Sequence, residues 1–172
     1  MQHRGTLFAG LLLILTGLYF LLVNLTSFVG LGWAQLWPGF LVLAALAFLL
    51  PIAIWWEQHR ALAGLAVPGV ILLSNALFFF YNAITGDWGA WAYLWSLEPL
   101  AVALGLVALW LLGVRQQGLL IGAAVLGAIS LGLFVIFGSL FGGHLAVIVA
   151  SIVLIALGLA LMWRGAFQRQ PA

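Results

Sequence analysis

GTLFAGLLLILTGLYFLLVNLTSFVGLGWAQLWPGFLVLAALAFLLPIAIWW, residues 5–56, contains no Asp, Glu, Lys or Arg. A bilayer core needs only about 20 consecutive apolar residues in a helix, so this run holds two spans once a turn breaks it. Thr26-Ser27 and Gly30-Leu31-Gly32 supply that turn chemistry. Working outward, residues 61–86 and 116–163 are equally free of Asp, Glu, Lys and Arg. The pattern predicts hairpins of helices bathed in lipid.

Composition says the same for the whole chain. It is 67% hydrophobic and 5% charged, where a soluble domain has roughly 45–50% and about 25%. Five Lys plus Arg and three Asp plus Glu, eight in all, cannot clothe a water-facing surface. The five cations are single, scattered arginines, so no basic patch forms and nucleic acid is excluded as a partner. Absence of cysteine removes disulfides, thiolate catalysis and Cys-based metal sites together. Met1-Gln2-His3-Arg4 before an apolar run copies the start of a secretory signal. The run Leu7–Leu25, however, exceeds an h-region of about 7–15 residues and lacks a small-x-small cleavage site. It is expected to be a retained first helix.

Six helices are predicted, at about Leu7–Leu25, Pro38–Trp56, Ala61–Asn82, Ser96–Val114, Gly118–Leu140 and Leu145–Trp163. Pro38 suits a first helical position, where its missing N–H is unpaired anyway, whereas Pro51 and Pro68 are expected to kink their helices. Ser96 reads as the N-cap of the fourth helix, after a non-helical connection from Ala83 to Trp95. Gly142-Gly143-His144 turns the chain into the last helix, and 164–172 is a short tail. The fold class is thus an all-α integral membrane protein, one membrane domain over 1–172. It consists of three consecutive helical hairpins, 5–56, 61–114 and 118–163.

This division puts Arg4, Arg60, Arg115, Arg164 and Arg169 on one side of the membrane, which the positive-inside rule makes cytoplasmic, N-in and C-in. Four or five helices would split the arginines between both faces. Trp33, Trp37, Trp88, Trp91 and Trp95 then fall at the outer boundary and Trp55, Trp56, Trp110 and Trp163 at the inner, none at mid-span. A shift of 58 residues lays Phe20 on Phe78, Asn24 on Asn82, and Leu36-Trp37 on Leu94-Trp95. The first two hairpins therefore read as an internal repeat, with the third a degenerate copy.

The run Gly10-Leu11-Leu12-Leu13-Ile14-Leu15-Thr16-Gly17-Leu18-Tyr19-Phe20-Leu21-Leu22-Val23-Asn24, followed by Leu36-Trp37-Pro38, resembles the two-helix unit of the bacterial LiaI/LiaF-like transmembrane region. The likeness covers residues 5–50, with a weaker echo in 60–113. It implies a bacterial, multi-pass membrane domain of largely unknown function. LiaF-type proteins add a soluble C-terminal domain involved in envelope-stress signalling, for which 1–172 shows no counterpart.

Four residues stand out as weak polar-site candidates: Glu98, Asp87, Asn24 and Asn82. Glu98 is the acid closest to a span, where an ionisable group points to proton or cation handling; the first turn of the fourth helix would stabilise it equally well as a structural carboxylate. Asp87, in Thr85-Gly86-Asp87, suits an outer recognition loop or simply a turn. Asn24 and Asn82 hold equivalent repeat positions, with Asn75 deeper; they line a polar cavity, or bond to helix ends and between helices. His3, His59 and His144 fall on two membrane faces, so no metal site and no cofactor are implied. Four-residue spacing of Gly118 and Gly122, of Ala124, Ala128 and Gly132, and of Gly138 and Gly142 predicts close approach by the fifth helix. Its neighbour is a helix of the same chain or of a second copy, with packing inside the chain the expectation. The functional expectation is a non-enzymatic membrane protein of the bacterial cell membrane, an accessory, scaffold or envelope-stress component. Its partners would be the lipid bilayer and a membrane protein or second copy. A small transporter or channel built from repeated hairpins is the alternative.

Overall fold

The computed structural model describes residues 2–142 and 144–167. All regular structure among them is helical. Six long helices form: α1 Gln2–Thr26, α2 Gly39–Ile54, α3 Ala66–Thr85, α4 Glu98–Leu111, α5 Gln117–Phe141 and α6 His144–Phe167. Short helical turns lie between them, notably Trp33–Leu36, His59–Leu62 and Trp91–Leu94. Four continuous helical stretches are long and apolar enough to cross a membrane: His3–Val29, Trp56–Thr85, Trp88–Leu111 and Gln117–Phe141. Gly39–Ile54 and Val147–Ala156 are shorter apolar helices.

Helix is the outcome because runs of Leu, Ala, Val and Ile, apolar on every side, leave the backbone to satisfy its own N–H and C=O groups. Ends occur where the backbone can reverse. α3 stops at Gly86, whose φ of 71° is a left-handed conformation open to glycine, and whose N–H bonds the Asn82 carbonyl at 2.9 Å. Gly113, at φ 106°, ends α4 in the same way.

Several sequence expectations are corrected here. Helical conformation resumes at Trp88, so Ala83 to Trp95 is not a long non-helical connection, and Trp91 and Trp95 lie within the stretch Trp88–Leu111 rather than at its boundary. Tight 3-10 turns at Trp88–Ala90 and Trp95–Leu97 carry the helix through. Ser96 is not an N-cap: its hydroxyl donates back to the Tyr93 carbonyl at 2.5 Å, and Leu97 occupies the cap position. Pro68 falls in the first turn of α3, where no backbone bond is lost, while Pro51 does lie inside α2. α6 continues to Phe167, past the expected tail boundary at Arg164. Gly143 and Arg169 lie outside the described residues.

Principal contacts run in chain order, α1 on α2, α2 on α3, α3 on α4, α4 on α5 and α5 on α6. Lipid removes the hydrophobic drive between helices, so close backbone approach must hold them. A glycine provides it at three successive interfaces. Gly39 of α2 sits on the ring edge of Tyr19 of α1; a Cβ on Gly69 of α3 would lie 2.6 Å from Leu49 Cδ2 of α2; a Cβ on Gly105 of α4 would lie 3.1 Å from the Val67 Cα of α3. The predicted small-residue runs of α5 play this part only in places: Gly118 and Gly132 meet nothing within 4 Å and Ala124 and Ala128 are exposed, whereas a Cβ on Gly122 would lie 3.6 Å from Leu106 Cδ1 of α4 and Gly138 is buried with Ala123, Ser130 and Phe134.

Gly105→Ala is therefore expected to destabilise the protein by about 1–3 kcal/mol, the usual cost of overpacking. Gly17→Ala, in open space, should be neutral or stabilising by up to about 1 kcal/mol. Thermal unfolding in detergent compares the two; equal midpoints would refute the close-approach account.

Candidate functional site

Pro99 directly follows Glu98, and a proline cannot donate to the carbonyl four residues earlier, here that of Trp95. The chain tightens instead: the Glu98 N–H takes the Trp95 carbonyl in a 3-10 turn. At this break the Ser96 carbonyl accepts a hydrogen bond from Ser130 Oγ of α5 at 2.6 Å, and both serines are fully buried. Pro38 creates a similar break before α2. There the Phe40 N–H bonds Trp37 at 3.1 Å, and the Leu36 carbonyl receives the Tyr19 hydroxyl of α1 at 2.7 Å.

The break fixes where Glu98 falls along its helical stretch. It is the eleventh residue of the 24-residue stretch Trp88–Leu111, counted from Trp88. Ten residues of helix rise roughly 15 Å, half the roughly 30 Å hydrocarbon thickness of a bilayer. The carboxylate stands at mid-stretch, not at the outer end where the sequence pattern puts it. Its partner agrees: Asn75, tenth of the twenty residues of α3, donates from Nδ2 to Glu98 Oε2 at 3.0 Å and to its own Ile71 carbonyl at 3.1 Å. Both side chains are half-buried. α3 and α5, which pack against α4, carry no Asp, Glu, Lys, Arg or His.

The other candidates do not join this pair. Asp87 is exposed, and its Oδ1 accepts the Ala90 N–H at 3.2 Å, closing the turn that starts Trp88–Ala90. Asn24 and Asn82 make the same local bond, Nδ2 to the Phe20 and Phe78 carbonyls, each at 2.8 Å. Their surroundings differ: Asn24 is exposed, whereas Asn82 is fully buried and its Oδ1 has no hydrogen-bond partner among the described residues. Asn82 stands two turns from Asn75 on one face of α3. His59 stacks on Trp56 with ring centroids 4.7 Å apart. Among the described residues no group of three His, Asp or Glu side chains comes together.

A second polar region lies at one end of the helix row. Arg4 pairs with Glu57 through two bonds of 2.6 and 2.9 Å, Arg60 packs on Gly113, and the Arg115 guanidinium lies 3.9 Å above the Trp110 ring. The turns at 56–60 and 113–115 are thus neighbours, with the start of α1 beside them.

Sequence reasoning singled out Glu98 as a candidate but missed its link to Asn75 and missed Ser130 altogether. The signal was present in the Glu98-Pro99 pair, which marks a break inside an uncharged stretch, and in a serine midway along an apolar helix. No family model, curated protein or solved structure matches the chain.

Ser130→Ala removes the donor to the Ser96 carbonyl and is expected to cost about 0.6–1.7 kcal/mol, the range for such bonds between helices in lipid. Ser151→Ala, which breaks only a bond to the Val147 carbonyl of the same helix, should cost less. Unfolding in detergent distinguishes them, and equal losses would remove the special role of the break.

Proposed function

We propose that the chain is a multi-pass protein of the bacterial cell membrane with six spans in three hairpins, both ends cytoplasmic, acting without catalysis as an accessory or scaffold component of the envelope. The observation that carries the topology is the grouping of Arg4, Arg60 and Arg115 at one end of the row, the arrangement that the positive-inside rule associates with the cytoplasmic face. α2, at 16 residues, is short for a span; the short helix Trp33–Leu36 precedes it, and the helical stretch Trp56–Thr85 begins just after it. Recurrence at 58 residues of the short helices Trp33–Leu36 and Trp91–Leu94, and of the Asn-to-Phe carbonyl bonds, supports duplicated hairpins.

The scaffold reading draws on the open row. α1 packs chiefly on α2 and α6 on α5, so the outer faces of both present large apolar side chains, among them Leu13, Leu21, Ile155 and Leu159. Such faces suit lateral contact with lipid or a membrane partner. The LiaI/LiaF-like resemblance of residues 5–50 adds an envelope-stress setting. A transport reading is favoured by one observation, the carboxylate at mid-stretch beside a broken helix.

The chain contains no cysteine, so single cysteines report topology directly. In vesicles of known orientation, Arg60→Cys and Arg115→Cys should react with an impermeant maleimide from the cytoplasmic side and Asp87→Cys only from the other. Modification of Arg60→Cys and Asp87→Cys from one compartment would overturn the six-span reading. Reconstituted alone in proteoliposomes, the protein is expected to leave ion and solute gradients intact. A gradient that collapses with the native chain but not with Glu98→Gln would decide for transport.

A further inference from the structure

We propose that Glu98 is a proton-binding site inside the membrane, formed by a mid-stretch carboxyl with no counter-charge on the helices packed against it and one amide partner, Asn75. The proposal rests on the reading of Trp88–Leu111 as a span. Facing Glu98 are α3 and α5, whose one ionisable side chain is the phenol of Tyr81; within Trp88–Leu111 itself the other is Tyr93. No cation is available from these elements to balance a carboxylate. Among the described residues the carboxylate accepts one hydrogen bond, from Asn75. An ion in hydrocarbon with a single neutral donor is far from compensated, whereas a neutral carboxyl needs no counter-ion.

The chemistry of the partner suits both states. An Asn side chain carries two N–H donors and an acceptor oxygen. With Glu98 ionised, Asn75 Nδ2 donates to Oε2, the arrangement observed. When a proton from water adds to the carboxylate, the new O–H donates and the Asn75 Oδ1 accepts after the amide turns over. The bond reverses direction and no charge remains. A metal cation fits less well, because one carboxylate and one amide oxygen fall short of the about six to eight oxygens that a hard cation such as calcium gathers. Two turns along the same face, the buried Asn82 oxygen provides a polar step between this pair and the Thr85–Asp87 turn.

The test uses the full chain reconstituted in phosphatidylcholine vesicles and the hydrophobic reagent dicyclohexylcarbodiimide, which adds to protonated carboxyls, with peptide mass spectrometry to place the label. Glu98 should be labelled, in preference to Glu57 and Asp87, and labelling should fall as the pH rises. Glu98→Gln should abolish it. In Asn75→Leu, which loses a bond to each form but the stronger one to the charged form, labelling at alkaline pH should rise about tenfold, the difference between a hydrogen bond to a charged group and one to a neutral group. Glu98 unlabelled from mildly acidic to alkaline pH would overturn the proposal, as would protection by sodium or potassium at constant pH, which would make the ligand a cation. Equal labelling of Glu98 by a water-soluble carbodiimide would instead overturn the span on which the proposal rests.

Discussion

Inside hydrocarbon a backbone N–H or C=O has no water to bond, and this constraint governs most of what the structure does. It explains why the described regular structure is helical, and why the interesting positions are those where a helix cannot complete its own ladder. Pro51 creates one inside α2, and Pro38 and Pro99 create two more, before α2 and at the start of α4. In the latter two, the chain tightens into a 3-10 turn or a short helix and a hydroxyl from an adjacent helix reaches across: Tyr19 to the Leu36 carbonyl, Ser130 to the Ser96 carbonyl. These bonds satisfy the break and also fix which helix lies beside it.

Close approach is the second requirement, since helices surrounded by lipid gain nothing by hiding leucine from it. The glycines at 39, 69 and 105 let each helix settle against its predecessor, and buried alanines such as Ala45, Ala66, Ala76 and Ala101 line the same row. Many large side chains are left to the outside, with Tyr93 and Phe134 among the buried exceptions. Soluble proteins invert this distribution, and the inversion is why the exposed leucines of α1 and α6 are unremarkable in a bilayer yet would be a liability in water.

Helix positions were legible in the sequence because uncharged length and turn chemistry are local properties. All-helical architecture followed directly, and so did the polar ends at Arg4, Arg60 and Arg115. What was not legible depended on contacts between helices. Ser96 followed by Glu98-Pro99 looks like a cap and a first turn, and only the 3-10 path through Trp95–Leu97 reveals that helix has already run from Trp88. That single difference moves Glu98 from the outer end to the middle. Likewise the four-residue spacing in α5 is a necessary property of close packing, not a sufficient one: spacing does not say which face turns inward, and Gly118 and Gly132 turn to open space.

The two bridged proline breaks also show why the hairpins are not interchangeable. In the first, the neighbour of the break is aromatic: Tyr19, Phe20, Trp33 and Phe40 pack ring against ring with centroids 5.1 to 6.1 Å apart, and Tyr19 spends its one hydroxyl on the freed carbonyl. In the second, the carbonyl is served by a serine from the following helix, which leaves the preceding helix free to place an amide, Asn75, against Glu98. A similar backbone problem thus has an inert solution in one hairpin and a polar one in the other. Because a carboxylate at mid-stretch is costly and nothing in the break requires it, its presence is the feature of the second hairpin that structure alone does not account for.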